Sequence, residues 1–137
     1  MKVKVAVFSR AGTQSLHTLS LGELTVADGG FSVQYRTDGD DCRLEYCDGE
    51  LIQRRSGRLT FVMNFREGDK TECVLSESGR KFVFPVFTAA LGATLRSDGC
   101  TVTISYVQGE EAEPTELIFT AEKIKERDGK RTPRPKQ

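Results

Sequence analysis

The most constraining feature of the chain is an alternation of apolar and polar residues with a period of two, repeated in segment after segment. Successive side chains of a β-strand point to opposite faces, so this period is typical of strands with one buried face, whereas an amphipathic helix repeats every 3.6 residues. Most of the apolar members are β-branched or aromatic, which suits a pleated surface. The clearest segments place on one face Val3, Val5 and Val7; Phe31, Val33 and Tyr35; Leu59, Phe61, Met63 and Phe65; Val102, Ile104 and Tyr106; and Leu117, Phe119 and Ala121.

Short turn signals separate the alternating segments. Asp-Gly or Ser-Gly pairs stand at residues 28–29, 38–39, 48–49, 56–57, 78–79 and 98–99, and such pairs supply the positive φ angles that tight hairpins need. Ala11-Gly12 and Glu67-Gly68 are further turn signals, and signals that recur about every 8–12 residues are typical of antiparallel strands joined by hairpins. No helical pattern is long enough for the crossovers of a parallel sheet. One helical turn fits only around Thr88–Leu91, after Pro85.

These patterns predict an all-β fold, a single antiparallel closed β-barrel of about 8–10 strands. Closure is expected because exposed sheet edges pair with other chains, and a closed barrel removes them. A two-sheet β-sandwich needs the same inward and outward alternation, so the period alone leaves this alternative open.

Length and charge divide the chain into one domain and a tail. A chain of 137 residues suffices for a single core, and we place a β-barrel domain at residues 1–124 and a basic, proline-containing tail at residues 125–137. The net charge is zero, yet residues 122–137 carry seven basic and three acidic side chains, which leaves 13 basic and 17 acidic ones for the rest. Neither part has the basic excess of a dedicated nucleic-acid binder. Without a long apolar run or a secretion signal, we expect no membrane partner and a cytoplasmic location.

The cysteines do not indicate a metal site. They stand at positions 42, 47, 73 and 100 with no Cys-x-x-Cys pair, and the single histidine, His17, is far from them in sequence. A structural zinc site usually shows at least one close ligand pair. We therefore expect reduced cysteines that pack as small side chains, no metal and no cofactor. Cys42 and Cys47 lie an odd number of residues apart, so a continuous strand points them to opposite faces. For His17, we expect a partly buried, structural side chain.

The middle and the C-terminal half of the chain carry a family resemblance. The residues concerned are Arg55-Ser-Gly57, Phe65, Gly79 with Phe82 and Phe84, the run Val86-Phe87-Thr88 with Leu91, and the spaced Val102, Ile104 and Tyr106. Together they resemble the YwiB-like family of bacterial β-barrels, over the residues between 50 and 124. The resemblance implies a closed, calycin-type (lipocalin-like) barrel in a bacterial cytoplasm. It implies no chemistry, because that family is a domain of unknown function.

Candidate ligand contacts come from arginines and tyrosines. No Gly-x-Ser-x-Gly, His-Glu-x-x-His or phosphate-binding glycine loop is present, so we predict no catalytic residue. An arginine facing inward at a barrel mouth is costly unless paired, and it therefore indicates either a structural ion pair or contact with an anionic ligand. A tyrosine on an apolar face suits core filling or a pocket. The candidates are Arg55, Tyr106, Tyr35 and Arg58.

Carboxylates cluster in the turn at Asp38, Asp40 and Asp41 and again at Glu110, Glu111 and Glu113. Turn carboxylates are usually solvated, so we expect these side chains to face water.

The sequence favours a small-ligand-binding module that uses the barrel interior or mouth and does not catalyse a reaction. The alternative is a protein-interaction or homodimerising barrel with an outer apolar patch, for which Val62, Phe87 and Ile118 are the candidates. An enzyme of unknown type is the third hypothesis. The expected partners are thus a small molecule in the barrel or a second copy of the chain.

Overall fold

The computed structural model describes residues 1–110 and 113–125, and within them the chain forms ten β-strands and no helix. The all-β prediction is therefore confirmed. Residues 126–137, which are nearly all of the predicted tail, and residues 111 and 112 lie outside the described part. The strands are β1 (Lys2–Ala11), β2 (Gln14–Ala27), β3 (Gly30–Thr37), β4 (Asp40–Cys47), β5 (Glu50–Ser56), β6 (Thr60–Arg66), β7 (Lys70–Glu77), β8 (Arg80–Arg96), β9 (Gly99–Gln108) and β10 (Thr115–Lys123).

The strands close into an antiparallel barrel. Each strand pairs with its neighbours in sequence, and β1 pairs with β10 from Val3 opposite Lys123 to Ala11 opposite Thr115. This closure decides between the barrel and the sandwich in favour of the barrel. The barrel has ten strands, which is the upper end of the predicted range.

Two long strands connect different parts of the wall. The strand β2 pairs with β1 over Gln14–Glu23 and with β3 over Gly22–Ala27. The strand β8 pairs with β7 over Arg80–Phe87 and with β9 over Val86–Arg96. Each long strand therefore leaves one neighbour about where it joins the next. Outside a two-residue overlap, at Gly22–Glu23 in β2 and Val86–Phe87 in β8, each has a paired strand on one side only.

The helical turn considered around Thr88–Leu91 does not form. These residues continue β8, and the register against β9 shifts between Thr88, which is opposite Tyr106, and Ala90, which is opposite Ser105. A β-bulge therefore accommodates Ala89 as the extra residue and bends the strand. Across the bulge, the inward-facing residues change from the even-numbered Val86 and Thr88 to the odd-numbered Leu91 and Ala93.

The tight turns follow the chemistry of their residues. Positive φ angles occur at both central residues of three hairpins, at Asp38 (52°) with Gly39 (81°), Asp48 (48°) with Gly49 (83°), and Ser78 (52°) with Gly79 (79°). This is the type I′ geometry, whose twist matches that of the flanking strands. These turn pairs thus fix the register of three hairpins, β3 with β4, β4 with β5, and β7 with β8.

The alternating residues fill one core. The inward face of β9 buries Val102, Ile104 and Tyr106, and that of β10 buries Leu117 and Phe119. The equivalent residues of β1, β3 and β6 join the same cluster, with Val7 and Phe61 partly buried, so these predicted inward faces are confirmed. The exception is Leu59, which precedes β6 and lies outside the cluster. Within the described ranges, no helix is long and apolar enough to cross a membrane.

The four cysteines are free thiols. Cys42, Cys73 and Cys100 are buried, as expected of packing residues. Cys47 lies on the opposite face from Cys42, as predicted, but it is exposed and does not pack in the core. Burial raises the pKa of Cys73 to about 11 and that of Cys100 to about 11. These thiols therefore act as small apolar side chains at neutral pH.

Candidate functional site at the barrel mouth

Three connections meet at one end of the barrel, which we call the mouth. They are the β3–β4 turn at Asp38 and Gly39, the β5–β6 loop around Gly57, and the β7–β8 turn at Ser78 and Gly79. Between them lies an open cleft with a volume of about 390 Å³. The mouth cleft is lined by Asp38, Asp40, Arg55, Arg58, Leu59 and Glu77.

The centre of the mouth is the carboxylate of Asp40, whose residue is only 3% exposed. One oxygen accepts a hydrogen bond from Arg55 Nε at 2.8 Å, and the other accepts one from the backbone N–H of Arg58 at 2.9 Å. A longer bond of 3.4 Å comes from the backbone N–H of Leu59. A buried charge is tolerated when it is paired and hydrogen-bonded, so Asp40 ties the β5–β6 loop to the start of β4.

Gly57 makes room for this arrangement. A Cβ atom at position 57 would lie 2.0 Å from Asp40 Oδ1 and 2.4 Å from its Cγ. Real Cβ atoms do not approach so closely, because the overlap is strongly repulsive. The loop can close over Asp40 only because residue 57 has no side chain.

The same contacts set the charge state of Asp40. The Arg55 guanidinium, and then the backbone N–H of Arg58, hold the pKa of Asp40 below its usual value of 3.8. Burial opposes this effect but does not cancel it. Asp40 is therefore ionised throughout the physiological range.

Acid is expected to weaken the fold through this carboxylate. A group whose pKa is lower in the folded state adds stability above its unfolded pKa, near 3.8, and that stability is lost as pH falls through the folded value. Replacing Asp40 by Asn removes this ionisation but keeps the shape of the side chain. We expect the urea midpoint of Asp40→Asn to fall less steeply between about pH 5 and pH 3 than that of the wild type.

The control for this measurement is Asp41→Asn, since Asp41 pairs with Arg36 where both side chains are more than 70% exposed. Its midpoint should follow the wild-type pH profile. Equal slopes for Asp40→Asn and the wild type would show that the Asp40 contacts contribute nothing to acid stability.

Two of the four predicted ligand contacts lie in the mouth cleft. Arg55 forms an ion pair with Asp40, which is the first of the two arrangements expected for an inward arginine, and its side chain is 22% exposed. Its Nη2 lies 4.0 Å from the exposed carboxylate of Asp38. Arg58 is exposed and contributes its backbone to Asp40, while its side chain lines the cleft.

Tyr35 lies beneath the mouth. It stands opposite Cys42, which in turn stands opposite Arg55, so the three residues form one row across β3, β4 and β5. The Tyr35 ring packs 5.7 Å from that of Phe119, and burial raises the pKa of the phenol. Tyr35 therefore contributes to the core and stays neutral.

Tyr106 lies at the opposite end of the barrel. It stands opposite Thr88, and its ring packs against Phe65 with the centroids 5.0 Å apart. Phe65 precedes the β6–β7 turn, which is at the other end of β6 from the mouth. The four predicted residues are thus not gathered into one site. Beside Tyr106, the hydroxyl of Thr88 is fully buried and has no hydrogen-bond partner among the described residues.

The expectations about His17 and Asp40 are corrected by the structure. His17 is exposed on the outer face of β2, with its ring 6.3 Å from that of Phe8. Asp40 is buried, although we expected it to face water like its neighbours Asp38 and Asp41, which are exposed. The signal for Asp40 was present in the strand alternation, since Asp40 shares its parity with the buried Cys42 and Leu44.

The outer patch expected from Val62, Phe87 and Ile118 does not form as a unit. Val62 stands between Arg54 and Val74, and Phe87 stands between Lys70 and Val107. Ile118 is opposite Phe8 and Thr103. The strand register therefore places the three side chains on separate cross-strand rows. Of the expected second carboxylate cluster, Glu111 lies outside the described residues.

The fold and the mouth define the class of protein: a closed, ten-stranded antiparallel barrel with a charged cleft at one end. No protein-family model matches the chain, and no curated protein matches it. The chain is similar in structure to the YwiB protein of Bacillus subtilis, whose crystal structure has been solved. The TM-score is 0.81 at 17% identity, over 90% of this chain and 92% of that one. At this identity the similarity shows the fold, which is a YwiB-like barrel.

Proposed function

We propose that the chain is a non-catalytic binding module that takes a small ligand at the barrel mouth. The observation that carries the proposal is the pair of arginines, Arg55 and Arg58, that line one cleft of about 390 Å³. Arg55 is held by the bond from its Nε to Asp40. The two terminal nitrogens of Arg55 keep hydrogen-bonding capacity, because a guanidinium carries five N–H donors.

The lining of the cleft favours a polar ligand with an anionic group. Guanidinium groups bind carboxylates and phosphates well because their planar donors match the oxygen geometry. The exposed carboxylates of Asp38 and Glu77 lie on the same cleft and suit an amine or hydroxyl elsewhere on the ligand. A small molecule that carries both an anionic group and an amine or hydroxyl fits these charges better than a hydrophobic, uncharged one.

The chemistry of Asp40 supports binding rather than catalysis. A general base works best when its pKa lies near the working pH, whereas the pKa of Asp40 is lowered and its oxygens already accept three N–H groups. His17 lies on the outer face of β2 and does not line the mouth cleft. We therefore assign Asp40 the role of positioning Arg55.

The proposal includes a calycin-type relationship and a reducing cytoplasm. The support for the first is the up-and-down order of a closed barrel with its charged cleft at one end. The support for the second is that all four thiols are free, including the exposed Cys47, since oxidising compartments favour disulfides.

A thermal-shift screen tests the binding proposal. We expect at least one member of a panel of small carboxylates, phosphates and amino acids to raise the melting temperature of the wild type by several degrees, because a ligand that binds only the folded state stabilises it. Arg58→Ala should abolish the shift, because it removes one of the two guanidinium groups that line the cleft. The variant should keep its fold, since Arg58 is exposed and its backbone bond to Asp40 remains.

The matched control is Arg54→Ala, which removes an arginine on the opposite face of β5 that pairs with Glu45 at 3.2 Å. This variant should keep the full shift. An equal response from Arg54→Ala and Arg58→Ala would mean that the ligand binds outside the mouth cleft.

A further inference from the structure

Part of β2 is an open strand edge. The strand β2 pairs with β1 over Gln14–Glu23 but with β3 only over Gly22–Ala27. In the part of the chain that the structure describes, Ser15–Leu21 therefore has a neighbouring strand on one side only. We call this segment the free edge.

The backbone groups that point away from β1 can be assigned from the register. The N–H of Leu24 donates to the carbonyl of Met1 at 2.8 Å, which continues the pairing of Glu23 with Lys2. In an antiparallel pair, every second residue directs its N–H and C=O toward the partner strand. The even-numbered residues of β2 thus face β1. The N–H and C=O groups that face away belong to Ser15, His17, Leu19 and Leu21.

The free edge lacks the features by which strand edges are usually protected. Natural edges carry charged residues, prolines or bulges that prevent pairing with another chain, whereas residues 14–22 contain no charged residue and no proline. Three leucines of this segment are strongly exposed, at 64% for Leu16, 66% for Leu19 and 70% for Leu21.

The corresponding part of β8 shows the contrast. Residues 89–96 of β8 have a neighbour on one side only, since β7 ends its pairing at Phe87. There the N–H of Leu91 donates to the side chain of Glu67 at 2.9 Å, and the segment ends in the charged Arg96. Among the described residues, the open stretch of β8 is therefore partly satisfied by a side chain, whereas no hydrogen bond to the free edge of β2 is found on its open side.

We propose that the free edge pairs with the free edge of a second copy of this chain, antiparallel and about a two-fold axis. Because the segment is uncharged, self-pairing places no like charges opposite each other. One register uses the outward backbone groups of all four residues. It pairs Ser15 with Leu21 of the second copy and His17 with Leu19 of the second copy, so the two Thr18 residues lie opposite each other at the two-fold axis. This dimer goes beyond the proposed ligand site, and no residue of the free edge lines the mouth cleft.

The outer face supports the same register. Ala6 stands opposite Leu19, and Phe8 stands opposite His17. When His17 of one copy pairs with Leu19 of the other, the row Ala6–Leu19 continues directly into the row His17–Phe8 of the second copy. An apolar band then crosses the interface, with Ile118 next to Phe8 at its end.

A cysteine cross-link tests the register. At the centre, the two Thr18 residues form a non-hydrogen-bonded pair with Cα atoms about 4.5 Å apart, which a disulfide can span. In a Cys47→Ser background, which removes the exposed thiol, we expect mild oxidation to convert Thr18→Cys into a covalent dimer on a non-reducing gel. Ser20→Cys in the same background should cross-link at least several-fold less, because Ser20 faces Leu16 of the second copy.

Proline tests the backbone pairing. The N–H of residue 19 faces away from β1, so a proline there is compatible with an edge strand of the monomer. Leu19→Pro and Leu19→Ala both remove the leucine side chain, but only proline removes the N–H. We expect sedimentation equilibrium to show that Leu19→Pro weakens the dimer on the order of tenfold or more beyond Leu19→Ala.

Three outcomes would overturn the proposal. They are a wild type that stays monomeric at high concentration, equal cross-linking of Thr18→Cys and Ser20→Cys, and equal dimer affinity of Leu19→Pro and Leu19→Ala. Circular dichroism of each variant shows whether it is folded. If Leu19→Pro unfolds, the Thr18→Cys and Ser20→Cys comparison decides. Neither measurement depends on a ligand in the mouth, so failure here leaves the binding proposal intact.

Discussion

Replacing Phe119 by alanine is expected to lower the free energy of unfolding by about 3–5 kcal/mol, which is a large fraction of the stability of a single domain. The Phe119 side chain is 1% exposed and packs against the ring of Tyr35 beneath the mouth. Its removal takes apolar area from the core and leaves a cavity that the closed wall cannot fill. Urea unfolding, followed by circular dichroism, measures the change.

The matched control is Phe87→Ala. Phe87 lies on the outer face of β8 and is 42% exposed, so its loss should cost no more than about 1 kcal/mol. Similar losses for the two phenylalanines would contradict the assignment of inward and outward faces along β8 and β10.

The second large effect is expected at Gly57. A Cβ atom there would overlap Asp40 Oδ1 at 2.0 Å, so in Gly57→Ala either the loop opens or the Asp40 carboxylate leaves its place. We expect a loss of about 2–3 kcal/mol, the upper part of the usual range for overpacking, because the overlap is with a hydrogen-bonded carboxylate. If the Asp40 carboxylate moves, Arg55 loses the hydrogen bond that holds its guanidinium in the cleft. Ligand-induced thermal shifts should therefore disappear in this variant.

Gly39→Ala is the control for this substitution. Gly39 belongs to the same mouth and has a positive φ of 81°, but a Cβ there meets nothing within 4 Å. Its cost is therefore the left-handed conformation alone, about 1–2 kcal/mol, with the ligand response retained. If Gly57→Ala keeps the ligand response as well, the position of Asp40 does not control binding.

The strands and their hairpin order could be predicted because the responsible forces are local, whereas closure was expected only from the general cost of exposed sheet edges. Alternation identifies which residues can share a buried face, and three of the six Asp-Gly or Ser-Gly pairs form the type I′ turns that such pairs favour. The length of β2 and β8 could not be predicted in this way. Whether a strand ends or changes partner depends on contacts with strands distant in sequence, such as the shift from Thr88 to Ala90 opposite β9.

The mouth could be predicted only in part. Arg55 was identifiable because an inward arginine needs a partner, but its partner was hidden by the general rule that turn carboxylates are solvated. Asp40 escapes that rule because it begins a strand whose even residues point inward. Tyr106 was grouped with the arginines because the sequence cannot show at which end of the barrel an inward residue lies.

Native mass spectrometry of the protein taken directly from cells tests the central claim most directly, that the mouth holds a small ligand through its arginines. The predicted result is a mass above that of the bare chain for the wild type and for Arg54→Ala, and the bare mass for Arg58→Ala isolated in parallel. The contradicting result is the bare mass for all three, or the same added mass in Arg58→Ala as in the wild type.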